Sequence, residues 1–213
     1  NPCGTLCPPE RVMDLQARLA ASGGSLIVDD AFIDATPEAS IVRHAGRPGL
    51  VVLRSLGKFF GLAGARVGFM FAEQSLRDAL ALKLGPWPVA GPSRWVARYA
   101  LADRDWQTTQ RARLAADAAR LAALLRATGW GEVSGCALFQ RVLTANAAAL
   151  HDAFCRRGIL LRLFDAPAAL RFGLPADEVE WRRLERAVDE VAAGGCAAAN
   201  SLVGAAPSPR LQP

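Results

Sequence analysis

The residue of this sequence best suited to covalent chemistry is a lysine in a glycine-rich turn. Lysine occurs only twice, as Lys58 and Lys83, and Lys58 lies between the apolar run at residues 50–53 and several glycines. Unlike arginine, lysine can lose its proton when desolvated and can form a Schiff base with a carbonyl group. A single loop lysine is usually a surface residue, so the hypothesis of catalysis at Lys58 depends on the residues that accompany it.

A pair of aspartates follows another apolar run. Residues 25–28 read Ser-Leu-Ile-Val, which is typical of a buried parallel strand, and Asp29 and Asp30 come directly after them. Open α/β sheets place ligand contacts at the carboxyl ends of their strands, so a carboxylate here is a candidate for binding. The alternative is that both aspartates only begin the next loop, as Asp often does.

Apolar periodicity and the positions of glycine and proline predict the elements that hold these side chains. In the first half we predict a helix that begins at residues 8–10 and ends before Gly23, and strands at residues 25–28, 50–54 and 67–71. Residues 84–92 are rich in proline and glycine and cannot form a helix or a central strand. We expect them to form a loop beside the site or an approach to a second domain.

The second half predicts helices at residues 93–101 and 106–128, a strand at 133–143, a helix at 147–157, strands at 158–163 and 170–175, and a final helix at 177–193. This order is typical of a small α/β unit. We therefore predict an α/β protein with one domain at residues 1–92, helices and a small domain at residues 93–193, and a disordered tail at residues 194–213.

Composition argues against several classes of function. The 52% of hydrophobic residues indicates a globular core, yet no stretch reaches the roughly 18 apolar residues of a membrane span. The net charge of +5 is spread along the chain, so we expect no nucleic-acid partner. Five cysteines without a C-x-x-C pair and two distant histidines predict neither a disulfide framework nor a metal site. No secretory signal is visible, and we expect a cytoplasmic protein.

Five short motifs occur in an order that resembles one enzyme superfamily. The chain is similar to the fold-type I pyridoxal-phosphate enzymes, the aspartate aminotransferase superfamily, to about residue 193. The motifs are Asn-Pro-Cys-Gly at residues 1–4, Val-Asp-Asp-Ala-Phe at 28–32, Ser-Leu-Gly-Lys at 55–58, Gly-Ala-Arg-Val-Gly at 64–68 and Leu-Arg-Phe at 170–172. The resemblance implies pyridoxal 5'-phosphate as cofactor. It also implies a partial large domain, built on a mostly parallel sheet, followed by a small C-terminal α/β domain.

The resemblance also assigns roles to individual residues around the cofactor. Lys58 matches the lysine that forms the Schiff base and later moves protons at the substrate Cα. Asp29 matches the carboxylate that keeps the cofactor's ring nitrogen protonated, which the ring needs to act as an electron sink. Ser55 and Arg66 match residues that hold the cofactor phosphate, and Asn1 matches the contact to its phenolic oxygen.

For the substrate, the resemblance implies arginine contacts. Arg171 matches the arginine that binds the substrate carboxylate. Arg162, and as a weaker candidate Arg141, could add contacts to the substrate, although single arginines near strand ends are more often surface residues.

The sequence departs from the superfamily pattern at three points. Cys3 stands where threonine is usual, and we expect this change to be tolerated. Phe32 stands where many relatives have a tyrosine whose hydroxyl contacts the cofactor, so that hydrogen bond must be absent. The chain also starts at the first motif, whereas relatives carry a preceding segment with a phosphate-binding loop and a stacking aromatic. We therefore expect a fragment or a truncated gene product.

Within the superfamily, residues 29–34, 58–64 and 86–92 resemble the histidinol-phosphate aminotransferase branch and, more narrowly, the L-threonine-O-3-phosphate decarboxylases of cobalamin biosynthesis. The implied reaction releases carbon dioxide from threonine phosphate. Transamination uses the same residues, so the motifs alone leave both reactions open, and a catalytically silent fragment is a third hypothesis. The resemblance also implies a small-molecule substrate and a homodimer when the chain is full length.

Overall fold

The structure, a computed structural model, describes residues 3–194. They form two compact units. The first unit comprises the residues up to Ala119 together with Gly135–Leu138, and the second comprises Arg120–Ser134 and the residues from Phe139 onward. The predicted boundary at residue 92 lies within the first unit. Residues 195–213, which hold nearly all of the predicted disordered tail, lie outside the described residues.

The first unit contains a three-stranded sheet of order β1-β2-β3. Its strands are β1 (Leu26–Asp29), β2 (Leu50–Ser55) and β3 (Gly68–Phe71). β1 pairs with β2 in parallel, whereas β2 and β3 are antiparallel. The sheet is therefore mixed within this chain, and β2 is its central strand.

The central strand is the most buried strand of this sheet. Leu50, Val51 and Val52 are all buried although their side chains alternate between the two faces, so both faces of the strand are covered at this point. Leu50 and Val52 pack with Ile41 in a small core. This burial explains why the apolar run at residues 50–53 forms a strand.

Helices make up most of the remainder of this half of the chain. They are α1 (Pro9–Ala21), α2 (Gln74–Leu84), α3 (Gly91–Ala102) and α4 (Arg104–Ala127), with short 3-10 turns at Ile33–Ala35, Pro37–Ala39, Val42–His44 and Ala63–Ala65. α1 starts with a proline at its first position, where the missing amide hydrogen costs no hydrogen bond. Among residues 3–194, no helix has both the length and the apolar character required to cross a membrane.

The second unit contains most of a sheet of order β4-β5-β7-β6, in which β7 is antiparallel to both β5 and β6, and Gly135 and Cys136 at the end of β4 belong to the first unit. The elements that follow α4 along the chain are β4 (Glu132–Cys136), β5 (Phe139–Leu143), α5 (Ala147–Cys155), β6 (Arg162–Asp165), β7 (Ala168–Gly173) and α6 (Glu178–Gly194). The described residues thus combine helices with two sheets, and the predicted α/β class is confirmed.

One hydrophobic core holds the second unit together. Buried residues of α6 recur at the helical spacing of three and four, at Trp181, Leu184, Val188 and Val191, and this stripe joins the core. Fully buried aromatic residues from α5 and β7 meet edge to face, with the ring centroids of Phe154 and Phe172 5.4 Å apart. Such pairs contribute about 0.5–1.5 kcal/mol beyond their buried area.

Three element predictions were wrong in detail. The strand predicted at residues 133–143 is a hairpin, because β4 ends at Cys136 and β5 begins at Phe139. The strand predicted at residues 158–163 forms later, at Arg162–Asp165. The passage at residues 84–92, predicted to exclude helix, ends inside α3, because Gly91 and Pro92 occupy the first turn, where proline is tolerated.

Candidate active site at the carboxyl ends of the parallel strands

The parallel pairing of β1 and β2 brings two strand ends to one edge of the sheet. Asp29 is the last residue of β1 and lies opposite Leu53 of β2, two residues before Ser55. The Asp29 side chain is exposed, and its Oδ1 accepts a hydrogen bond of 2.9 Å from the amide of Ala31. This turn fixes the carboxylate at the strand end while leaving it open to a ligand.

The neighbouring aspartate has a different environment. Asp30 is only 8% exposed, and its Oδ2 accepts a hydrogen bond of 2.7 Å from the hydroxyl of Ser40. Burial raises the pKa of the Asp30 carboxyl above its ordinary value. Of the two aspartates, Asp30 is thus part of the packed interior and Asp29 faces outward.

The lysine turn is fastened on both sides by buried apolar residues. Leu56 and Phe59 are 1% and 2% exposed, whereas Lys58 between them is exposed. The amide of Gly57 donates a 2.9 Å hydrogen bond to Ser55 Oγ, which tightens the turn at the end of β2. The anchoring of both flanks holds the Lys58 backbone in place without burying its amine.

The lysine amine lies beside the loop that follows the first aspartate. Lys58 Nζ is 5.7 Å from the centroid of the Phe32 ring, a distance at which a cation is attracted to an aromatic face. Phe32 comes three residues after Asp29. The structure therefore places the Lys58 amine beside the segment that follows Asp29.

The arginine predicted to hold phosphate has a strained backbone. Arg66 has φ of 53°, and among the described residues it is the one residue other than glycine with positive φ. Left-handed backbone costs a residue with a Cβ about 1–2 kcal/mol. Arg66 comes two residues before Gly68, which lies opposite Ser55 in the β2–β3 register. Its guanidinium is exposed and donates to the carbonyl of Ala63 at 3.1 Å.

An ion pair behind the strand ends was not predicted from the sequence. The guanidinium of Arg54, next to Ser55, donates to the carboxylate of Asp34, which is only 6% exposed. Arg111 Nε donates to the Asp34 carbonyl at 2.9 Å, and the Arg111 guanidinium lies 5.3 Å from the Phe59 ring centroid. These contacts link the loop after Asp29 to the strand that carries Ser55.

The opening motif is partly described. Asn1 lies outside the described residues, so its predicted contact has no structural account. Gly4 has φ of 78°, and a Cβ at this position would lie 2.6 Å from the carbonyl carbon of Gly135. Only glycine fits this close backbone approach, which explains the last residue of the motif.

The predicted substrate arginines lie on the antiparallel sheet of the second unit. Arg171 of β7 is directly opposite Arg162 of β6 and also directly opposite Arg141 of β5. The Arg171 guanidinium is 4.7 Å from the Phe139 ring centroid and 5.6 Å from that of Phe164. The structure thus brings Arg162 and Arg171 together as neighbours on one face of the sheet.

A known protein family matches most of the chain. Residues 1–187 match the family model "Aminotransferase class I and II". The chain belongs to this family, and the predicted resemblance to the aspartate aminotransferase superfamily is confirmed.

Two curated relatives share a narrower name. The chain is 54% identical over 188 residues to the threonine-phosphate decarboxylase of Pseudomonas aeruginosa and 41% identical over 190 residues to that of a Sinorhizobium species. Each match covers 88% of this chain, but only 57% and 56% of the respective relatives. The chain therefore spans little more than half the length of these relatives.

A solved structure supports the fold. The histidinol-phosphate aminotransferase of Clostridium acetobutylicum superposes with a TM-score of 0.82 at 24% identity, covering 91% of this chain and 62% of that one. At this identity the likeness concerns the fold alone.

We expect the Arg54–Asp34 pair to stabilise the strand ends. Replacing Arg54→Met leaves a buried carboxylate without its partner, which costs about 1.5–3 kcal/mol for a hydrogen bond to a charged group. The measurement is urea-induced unfolding of the single variant and of the Arg54→Met/Asp34→Asn double variant. The double variant is expected to lose less free energy of unfolding than the single variant. Equal stability of Arg54→Met and the wild type would contradict a stabilising role of the ion pair.

The buried aspartate predicts a pH dependence. Because the pKa of Asp30 is raised in the folded protein, its contribution to stability is present below the unfolded pKa of about 3.9 and is lost as pH rises through the folded pKa. We expect Asp30→Asn to unfold with less pH dependence above about pH 4 and to be at least as stable as the wild type at pH 7.

Urea unfolding at pH 4 and pH 7 measures this difference, with Asp29→Asn as the matched control at an exposed position. A variant Asp30→Asn that is less stable than the wild type at pH 7 but not at pH 4 would show instead that the ionised carboxylate stabilises the fold.

Proposed function

We propose that the chain is part of a pyridoxal-phosphate-dependent decarboxylase. Its reaction converts L-threonine O-3-phosphate to (R)-1-aminopropan-2-yl phosphate and carbon dioxide, in cobalamin biosynthesis. The observation that carries the proposal is the 54% identity with the threonine-phosphate decarboxylase of Pseudomonas aeruginosa. The residues at the strand ends add chemical support.

The side chains at the sheet edge fit pyridoxal phosphate. Lys58 offers an exposed amine beside Phe32, and Asp29 offers an exposed carboxylate at the end of the adjacent strand. Ser55 and Arg66 offer a hydroxyl and a guanidinium near the paired ends of β2 and β3, and both groups suit phosphate oxygens. When bound, the cofactor supplies a conjugated ring that accepts an electron pair from the substrate Cα.

Each residue has a defined task in this proposal. Asp29 stabilises a proton on the ring nitrogen by opposite charge. Lys58 would hold the cofactor through its amine, and the same amine would be available to move a proton at the substrate Cα. The bond that breaks joins Cα to the carboxylate carbon, carbon dioxide leaves, and a proton from Lys58 or water forms the new Cα–H bond. Arg171 and Arg162 bind anionic groups of the substrate.

Transamination is the second candidate, because the family bears the aminotransferase name and the same side chains serve both reactions. In transamination the bond broken at Cα is the Cα–H bond, and Arg171 keeps the carboxylate in place. The two reactions differ in a simple requirement: transamination needs a keto-acid acceptor, whereas decarboxylation does not. A third candidate is a catalytically silent fragment, since the chain spans only 57% of its Pseudomonas relative.

We also propose that the full-length protein works as a homodimer in the cytoplasm with a small-molecule substrate and no nucleic-acid partner. Several large side chains of the first unit support a further protein contact, because Trp87, Trp95 and Tyr99 are 86%, 61% and 59% exposed. Free thiols at the four described cysteines support a reducing compartment.

The proposal predicts a cofactor band that depends on one lysine. Adding pyridoxal phosphate to the purified chain is expected to give an absorbance band in the near-ultraviolet or visible region that Lys58→Ala abolishes and Lys83→Ala retains. With O-phospho-L-threonine, carbon dioxide is then expected without any acceptor, and the release should fall by at least about 100-fold in Lys58→Ala, because general acid–base catalysis typically contributes 10²–10⁴-fold.

The other candidates give different results. Amino transfer that requires a keto acid, without release of carbon dioxide, would contradict the decarboxylase function and support the aminotransferase function. A chain that binds the cofactor but does not react with O-phospho-L-threonine, either with or without a keto acid, would support the hypothesis of a silent fragment.

A further inference from the structure

Three arginines form a continuous row across the second sheet. In the register of β5, β7 and β6, Arg141 lies opposite Arg171, and Arg171 lies opposite Arg162. Adjacent strands are about 4.8 Å apart, and directly opposite residues point to the same face. The adjacent pair in the register, Val142 opposite Leu170, is fully buried in the core of the second unit. The arginine row therefore lies on the opposite face of the sheet from that core.

Such a row is unfavourable in the absence of an anion. Like charges directly opposite each other in a sheet destabilise it. Five other arginines of the described residues pair with carboxylates, namely Arg54, Arg113, Arg120, Arg156 and Arg157. Within residues 3–194, none of the three arginines of the row has an ion-pair partner. Three adjacent uncompensated cations indicate a site for negative charge.

Aromatic rings hold two members of the row without using their hydrogen-bond donors. The Arg171 guanidinium lies over the rings of Phe139 and Phe164, 4.7 and 5.6 Å from their centroids, and that of Arg162 is 5.6 Å from the Phe164 ring centroid. A contact with a ring face orients a guanidinium plane but leaves its N–H groups available. Those groups can therefore bind a ligand.

Arg141 adds an independent observation. Its Nε is shielded from solvent and has no hydrogen-bond partner, and it is the one side-chain nitrogen or oxygen in this condition among residues 3–194. Buried polar groups are nearly always hydrogen-bonded, and an unmet donor on a charged group is especially costly. Arg120 in the same unit shows the usual outcome, because its N–H groups bind Glu178 and Glu185.

We propose that Arg141 is a specificity-determining residue that binds the phosphate group of the substrate, in one anion site with Arg162 and Arg171. This inference rests on the proposed function, which supplies a substrate with two anionic groups. A carboxylate carries one negative charge and a phosphate monoester about 1.5–2, so their sum matches the three arginines. Because Arg171 takes the carboxylate, the phosphate is the group that needs the additional arginine.

Binding to the purified chain tests the proposal without turnover. Isothermal titration with O-phospho-L-threonine, L-threonine and inorganic phosphate compares the wild type with Arg141→Gln, Arg141→Lys and the matched control Arg126→Gln, an exposed arginine of α4. The phosphorylated amino acid is expected to bind Arg141→Gln at least about tenfold more weakly, as one hydrogen bond between charged groups implies, and L-threonine to change less than about threefold. Arg141→Lys should fall between, because it keeps the charge but loses the planar fork.

A second readout does not depend on affinity. The Arg141 Nε–H resonance is expected to shift when inorganic phosphate is added to the wild type, and circular dichroism is expected to show that Arg141→Gln is folded, since the substitution relieves repulsion. Equal losses for phosphorylated and unphosphorylated threonine, or an unchanged affinity for O-phospho-L-threonine in folded Arg141→Gln, would overturn the proposal. If the anion dependence holds but carbon dioxide is never released, the assigned reaction fails and the anion site stands.

Discussion

The parallel register of β1 against β2 is the constraint on which the candidate active site depends. Because Asp29 lies opposite Leu53, the ends of both strands open at one edge, and the Lys58 turn follows within a few residues. A shift of one residue would exchange the faces of the strand and bury different side chains. The register is held by the buried run Leu50–Val52 and reinforced by the ion pair between Arg54 and Asp34, which ties the loop after Asp29 to β2.

The second unit applies the same principle to a different kind of site. An antiparallel sheet aligns residues directly opposite each other, so arginines that are far apart in sequence become one row of charge. The core on the other face of the sheet fixes this alignment through Val142 and Leu170. In both units, therefore, buried apolar residues fix the register of the strands, and the register determines where the reactive or charged side chains lie.

Much of this arrangement follows from local sequence patterns. The elements that were not predicted from the sequence were missed for physical reasons. The run that becomes β2 is apolar and buried at Leu50, Val51 and Val52, so its strand was predicted correctly. The run that becomes β1 was also predicted as a strand, but it was expected to be buried, whereas Ile27 is 65% exposed within the described residues. Helix α2 was not predicted, although Leu76, Leu80 and Leu84 recur at helical spacing, and none of its residues is buried within the described part of the chain. The β4–β5 turn contains Ala137 and Leu138, neither of which is a turn-forming residue.

The ion pair between Arg54 and Asp34 joins residues 20 positions apart, and the row of Arg141, Arg162 and Arg171 requires a strand order that periodicity does not give. Neither feature can therefore be predicted from local patterns.

The central claim is that the lysine turn binds a cofactor, and reductive trapping tests this claim most directly. The purified chain is mixed with pyridoxal phosphate, treated with borohydride, digested and mapped by mass spectrometry. We predict a covalent label on the peptide that contains Lys58 and none on Lys83, the second of the two lysines. Label on Lys83 alone, or equal label on both, would contradict the account.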